Sequence, residues 1–327
     1  MSGSTQYRSR LVAACVGLFV FLLGCNRDHK KLIAVIPKGQ SHLFWQSVRS
    51  GAAKAAQENN VDIVWNGPAS EIDYTGQLQI VDAMINRRVD AIALAPIDKK
   101  IMVSVVERAA QQNIPVVIFD SPIDSDKFLA QIATDNYRAG QMAARRIAKV
   151  LNNRGTVFMV AVQPGAASTD AREKGFEDTL QKEYPDIHIV DKRFGMAEFA
   201  HSMTIAENML AAHPNVDGIF ASNESSALGA ARALQGRQGH IKLVGFDSSP
   251  TLLDGLRSGL IDSLIVQDPF KMGYDSVVAA VHKFRGEPVQ RIQDLPPRLI
   301  DKSNLDTPPT RASASSKLDS PSPRSTH

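Results

Sequence analysis

The chain is poor in cysteine: two in 327 residues. That number excludes a disulfide scaffold and a thiolate zinc site. Charge of one sign is also scarce. Lys and Arg total 37 against 34 Asp and Glu, for a net +3, and no basic face of the kind nucleic acid requires stands out. Only one apolar run comes near spanning length, which excludes a polytopic membrane protein. No G-x-G-x-x-G follows a candidate strand, and no Walker-type loop, H-E-x-x-H or G-x-S-x-G is present. The eight His are scattered, with no pair at ligand spacing on one candidate helix. No cofactor, metal site or catalytic residue is therefore expected. A hydrolase built on unsignposted carboxylates stays open only as a minor alternative. What remains is ordinary globular composition, 43% hydrophobic and 22% charged, in a chain long enough for about two domains.

The apolar run is at the beginning. Arg8 and Arg10 precede LVAACVGLFVFLLG at 11–24, and Cys25 follows directly. A positive region, an apolar stretch too short to span and a small residue before a cysteine fit a signal peptide over 1–24. The Leu22-Leu23-Gly24-Cys25 ending resembles a lipobox, so lipidation is expected at Cys25. The exported chain would then sit outside the cytoplasm, tethered to a membrane, with neither free thiol nor disulfide. An uncleaved anchor is the blander alternative. At the other end, residues 305–327 are rich in Ser, Pro and Thr. Such a segment cannot bury enough surface to offset its ordering entropy, so it reads as a disordered tail.

Between these ends, short apolar runs alternate with helical patterns. Strands are expected at 32–37, 62–65, 91–95, 116–119, 156–162, 218–221, 242–245 and 263–266. Their lack of two-residue alternation points to burial on both faces. Helical spacing marks Phe44, Val48, Ala52 and Ala55, and again Ala139, Ala143, Ile147 and Val150, with Asp135 as a cap for the second. Further helices are expected at 103–112, 172–183, 205–213, 228–234 and 274–284. Strand starts near 32, 62, 91 and 116 recur at the size of one strand–helix unit. Two such sets argue for two doubly wound α/β domains, with a closed eight-stranded barrel as the alternative. In either fold, a ligand belongs at the carboxyl ends of the strands.

The residues there are informative. The first strand leads to His42, Phe44 and Trp45; the fourth to Asp120 and Ser121; the fifth to Arg172. Later strands lead to Asn223, Asp247 and Gln267. Carboxylates, amides and a guanidinium can bond several hydroxyls at once, and aromatic faces can stack on the C–H face of a sugar ring. Each also has a plain structural reading. Asp120 could brace its loop, Asn223 and Asp247 could cap helices, and Gln267 could hold a hinge. Phe44 and Trp45 could be core. Arg172 in a first helical turn would oppose the helix dipole, which favours a ligand role.

Four stretches carry a resemblance: Ile114–Asp120, Ala133-Thr134-Asp135-Asn136, Gly218–Glu224 with Ala227-Leu228-Gly229-Ala230, and Val244-Gly245-Phe246-Asp247. Over about 31–304 the chain resembles the type I periplasmic sugar-binding proteins, in the ribose-binding branch of ABC-transporter binding proteins. The resemblance implies two lobes, 32–134 plus 268–295 and 135–267 plus 296–304, joined by a three-crossover hinge. It implies a monomer that closes on a monosaccharide or polyol and delivers it to an ABC permease. Asp120, Arg172, Asn223, Asp247 and Gln267 would bond the ligand, and Phe44 and Trp45 would stack on it. His42 stands where the family usually has Asn, and Ser121 where ribose binders carry Arg. Another stacking aromatic, Phe194 or Phe199, is expected near 197–199. These departures point away from ribose itself. A sensor presenting a sugar-like signal to a chemoreceptor or kinase is the alternative. A repressor core of the same fold is opposed by the leader and by the missing DNA-binding headpiece.

Overall fold

A computed structural model describes residues 30–237 and 239–306. The expected signal peptide, Cys25 and residues 307–327 of the expected tail lie outside the described residues. Strand and helix alternate almost strictly: β1 (Leu32–Ile36), α1 (Leu43–Asn59), β2 (Asp62–Trp65), α2 (Tyr74–Asn86), β3 (Ala91–Leu94), α3 (Val103–Gln111), β4 (Val116–Phe119) and β5 (Ala130–Thr134). There follow α4 (Asn136–Val150), β6 (Gly155–Ala161), α5 (Ala167–Glu183), β7 (Ile187–Phe194), α6 (Phe199–Ala212), β8 (Gly218–Ala221) and α7 (Glu224–Ala233). The chain ends β9 (Lys242–Phe246), α8 (Pro250–Ser258), β10 (Ser263–Val266), α9 (Pro269–Arg285), β11 (Ile292–Leu295) and β12 (Arg298–Asp301).

The strands form two open six-stranded sheets rather than a barrel. The first runs β2-β1-β3-β4-β5-β11 and the second β7-β6-β8-β9-β10-β12. Every pairing is parallel except β10 with β12. In both sheets the order reverses after the first strand, between β1 and β3 and between β6 and β8. Such a reversal opens a crevice at the carboxyl ends, where ligands of doubly wound folds bind. The chain passes between sheets three times: from β5 into α4, from β10 into α9, and from β11 to β12 through Pro296-Pro297.

Central strands are buried on both faces because helices cover both. Ile33 and Val35 join α1 and α9 in one core, while Ala34 and Ile36 join α2 and α3 in another. In the second sheet Phe158 and Val160 pack toward α6, α7 and α8, and Val157 and Met159 toward α4 and α5. One helix pair in each half approaches through reciprocal glycines. A Cβ on Gly51 would overlap the Phe270 carbonyl, and one on Gly273 the Val48 carbonyl, between α1 and α9. Gly140 and Gly175 do the same against Arg172 and Tyr137 between α4 and α5. That close approach fixes the backbone of Arg172.

The strands that the sequence pattern misses are β5, β7, β11 and β12. Three of them are sheet edges, where one side faces solvent and polar residues interrupt the apolar run. Helices α2 and α8 are also absent from the sequence reading. Leu305, assigned by composition to the tail, is 5% exposed and packs in the core of the second sheet.

Candidate functional site

The carboxyl ends of the two sheets face each other. Lys38, His42, Phe44, Trp45, Glu71, Asp120, Ser168, Thr169, Arg172, Asn223, Asp247 and Gln267 line one cavity between them. Eight of the nine residues expected to touch ligand are among these. The ninth, Ser121, is fully buried just beside the cavity; its hydroxyl accepts from the Ser168 N–H at 3.0 Å and reaches the Ser168 hydroxyl at 3.2 Å. Ser121 is thus the one expected contact that does not line the cavity; its hydroxyl is turned across to the other half. Phe194 and Phe199 do not line the cavity either. Phe194 packs on the outer core, and Phe199 opens α6 at 46% exposure.

Two carboxylates are presented by the same local device. Asp120 follows Phe119 at the end of β4, and Asp247 follows Phe246 at the end of β9. Each has a left-handed backbone, φ 61° and 70°. Each donates its N–H to the neighbouring strand, to Ile132 at 3.0 Å and Ile265 at 2.8 Å. Asp tolerates this region better than most residues, yet it still stores strain of about 1–3 kcal/mol. Strain of this kind, held in place by a packed Phe and a strand, turns the side chain into the cleft.

Their partners differ. Asp120 pairs with Lys38 at 2.6 Å, and the Lys38 ammonium also bonds the Ser168 hydroxyl at 3.0 Å. Among the described residues Asp247 has no cation in salt-bridge contact. It accepts from Gln267 Nε2 at 2.8 Å and from the Glu224 backbone N–H at 3.0 Å. Burial pushes the Asp247 carboxyl up, against the opposing pull of Arg172.

Arg172 is 2% exposed and lies over the Phe246 ring, 3.4 Å from guanidinium carbon to ring centre. It donates to the Ser222 carbonyl and, at 2.7 Å, to Asn136 Oδ1, while its Nε finds no partner among the described groups. Helix α5 begins at Ala167, not at Arg172, so Arg172 stands in the second turn. The argument from the helix dipole lapses. Burial lowers its pKa, and Asp247 and Asp120 oppose that. Glu173, next along α5, accepts from the Val162 N–H at 3.0 Å and the Ser222 hydroxyl at 2.9 Å, so it braces the strand ends around Arg172. Its carboxyl is pushed up by burial.

On the first-sheet side, His42 pairs with Glu71 at 2.8 Å, and Trp45 donates its indole N–H to the same carboxylate oxygen at 2.7 Å. Burial alone would lower His42; the Glu71 carboxylate outweighs it and pushes the imidazole up to about 9. Glu71 is correspondingly lowered despite its burial. Phe44 and Trp45 pack edge to face, 4.8 Å apart, and Trp45 is 2% exposed against Phe119. Trp45 is thus core and cavity wall together.

Asn223 and Gln267 have dual roles. Asn223 caps α7 through the Ser226 N–H at 2.9 Å. Gln267 accepts from Thr134 at 2.7 Å at one crossing between the sheets, while its amide N–H₂ holds Asp247. The structural readings thus hold for both side chains, and both also line the cavity.

Sequence reasoning missed Lys38, Glu71, Ser168 and Thr169. Lys38 follows β1 by two residues and was legible as a strand-end residue. Glu71 comes from the β2–α2 loop, which no motif marks.

The halves are drawn together. Besides the Ser121–Ser168 and Lys38–Ser168 bonds, Gln163 Nε2 reaches the Glu71 carbonyl at 2.9 Å and the Lys99 N–H the Gly165 carbonyl at 3.1 Å. Among the described residues no His, Cys, Asp and Glu cluster could hold a metal ion.

Comparison with known proteins agrees with this geometry. The family model described as a periplasmic binding protein domain matches residues 33–288. The ribose import binding protein of Bacillus subtilis is 28% identical over 78% of this chain and 82% of its own. A carbohydrate transporter solute binding protein from Agrobacterium radiobacter, solved with D-arabinose, is 31% identical with a TM-score of 0.84, covering 86% of this chain and 98% of that one. An ABC transporter solute binding protein from Agrobacterium vitis, solved with D-fucose, is 32% identical, again with a TM-score of 0.84 and the same coverage. With two doubly wound sheets, three crossings and a polar cleft between their carboxyl ends, the chain belongs to the periplasmic binding protein family.

Proposed function

We propose that this chain is an extracytoplasmic binding protein that captures a neutral monosaccharide or polyol between its two halves and hands it to an ABC importer. The observation that carries this is the facing pair of strained Asp turns, with amide, guanidinium and indole walls, in one cleft. Ionic groups in the cleft are largely self-compensating: Lys38 with Asp120, His42 with Glu71, and Arg172 near Asp247. A neutral ligand with many hydroxyls suits such a site, because spare donors and acceptors remain on both sides. Asp120, Arg172, Asn223, Asp247 and Gln267 would bond it, with Lys38 beside them, and Phe44 and Trp45 would stack against it. His42 would donate through the ring nitrogen not held by Glu71.

The lobes would be 32–134 plus 268–295 and 135–267 plus 296–304. Ligand contacts from both would form together only on closing, so ligand shifts the equilibrium toward the closed state. The leader and Cys25 support a lipid-anchored monomer on the outer side of a membrane, docking on its permease when closed. That so many relatives are import binding proteins favours import over sensing. Binding without turnover is the activity proposed.

The test is thermal denaturation against D-arabinose, D-fucose, D-allose, D-ribose, inositols and linear polyols. A ligand at about 100-fold over its Kd adds roughly 2.7 kcal/mol, a rise of several degrees. Asp247→Asn should weaken binding about 10- to 100-fold, the worth of a hydrogen bond to a charged group. No shift with any neutral sugar or polyol, together with a shift on a sugar acid, would overturn the reading.

A further inference from the structure

Helix α1 carries Phe44 and Trp45 at its first turn, yet it lacks a cap of its own. Its N-cap is His42, whose side chain makes no capping bond, and its first turn contains no acidic residue. The Trp45 N–H is taken by the His42 carbonyl at 3.1 Å, so the Leu43 and Phe44 N–H groups and the positive end of the dipole would then face the cleft. Glu224 occupies that place from the other half. Its carboxyl accepts the Phe44 N–H at 3.2 Å; burial and the neighbouring Asp247 push its pKa up, and His42 with the Phe44 and Leu43 N–H groups opposes that. Glu224 is also the first residue of α7, where an acid suits its own helix dipole, and its backbone N–H is bound to Asp247. It is 5% exposed. One carboxylate is thus placed between two helix N-termini, one from each half of the protein.

We propose that Glu224 is a positioning residue that clasps the two halves shut, capping α1 across the cleft and so fixing Phe44 and Trp45 beside the ligand. The cap exists only when the halves meet, because α1 belongs to the first sheet and α7 to the second. Closing therefore satisfies a helix end that is bare when open. The clasp rests on the closing movement of the proposed function, but not on which sugar is bound. Since Glu224 acts on backbone groups, it stabilises closure equally for every ligand.

Hydrogen exchange on the full chain, without sugar and again with each sugar that binds at saturation, reads the cap in proportion to the closed population. Glu224→Ala should speed exchange of the Leu43 and Phe44 amides about three- to thirtyfold, the range for losing a cap. Glu224→Gln, nearly isosteric and still an acceptor, should give a smaller effect and guards against a folding defect. Spin labels at Gln57→Cys and Gln181→Cys, with Cys15→Ser and Cys25→Ser, should show longer distances in Glu224→Ala. With D-arabinose, D-allose and D-ribose as probes, the loss of affinity should be the same factor for each sugar that binds. Unchanged exchange at Leu43 and Phe44 in both variants would overturn the clasp. So would a loss confined to one sugar, which would make Glu224 a ligand contact. If the wild type binds no sugar at all, the ligand reading fails, and the exchange result still decides the clasp.

Discussion

The turns Phe119-Asp120-Ser121 and Phe246-Asp247-Ser248 share a backbone but not an electrostatic solution. Both close a buried parallel strand, both hold Asp at positive φ, and both donate to the strand next door. At Asp120 the buried charge is met by the Lys38 ammonium; at Asp247 it is met by an amide and a backbone N–H. The same presenting device therefore works whether the carboxylate is neutralised by a full charge or only solvated by dipoles. What the turn specifies is position, and the neighbours decide how firmly the charge is held.

The largest expected effect separates the two. Lys38→Met leaves Asp120 charged and buried without its cation, which costs about 3–5 kcal/mol of stability. Asp120→Asn leaves Lys38 stranded and should cost a similar amount, while the double variant Lys38→Met with Asp120→Asn should recover most of it. Asp247→Asn should cost less, because it strands no cation: its carboxyl is held by the Gln267 amide and the Glu224 backbone N–H. Urea unfolding of the four proteins, without sugar, measures this. Equal losses for Asp120→Asn and Asp247→Asn would erase the distinction.

The contrast also marks how far the sequence could be read. Each Asp was legible because it is the first acid after an apolar strand; Phe119 was read as the end of its strand, whereas Phe246 extends β9 one residue beyond the expected 242–245. Eight wall residues follow from the same rule, which works where side chains lie at strand ends. Glu71 escapes it because a loop folds back to deliver the side chain. Ser121 falls outside the wall because the rule gives a position along the chain, not a direction in space. Most central strands were legible from their apolar runs, though β5 was not, because Gln131 interrupts its short run; β7, β11 and β12 were not, because an edge strand needs only one buried face and tolerates polar residues. Helix α2 was hidden for a related reason: its Gln77 is fully buried, bonding the Pro37 and Ala95 carbonyls, so one core position looks polar.

A second prediction concerns the supporting charges on the first-sheet side. The folded pKa of His42, about 9, lies above its ordinary value of 6.5. The stability it contributes is fully present below about pH 6.5 and is lost as pH rises through about 9, at most roughly 3 kcal/mol. Unfolding free energy should therefore fall across that window, and His42→Gln should flatten the fall. A wild-type profile level from pH 6.5 to 9.5 would show that Glu71 does not hold the imidazole charged. Among the described residues Asp247 has no such cation in salt-bridge contact, so the second-sheet side should contribute no matching alkaline loss.

The smallest effect is expected where the two turns part company in their serines. Ser121 is fully buried and bonds Ser168 twice, by accepting from its N–H and by donating to its hydroxyl. The Ser168 hydroxyl in turn accepts from Lys38, so removing Ser121 loosens the charged turn as well as the junction between halves. Ser121→Ala should cost about 1 kcal/mol, the net worth of a buried hydrogen bond. The cost should fall on closure: affinity drops about fivefold by the same factor for every sugar that binds, while ligand-free unfolding changes less. Isothermal titration with a bound sugar and its deoxy analogue decides the point. If Ser121→Ala changes the ratio between the two, Ser121 touches ligand after all, and the direction assigned to its side chain is wrong.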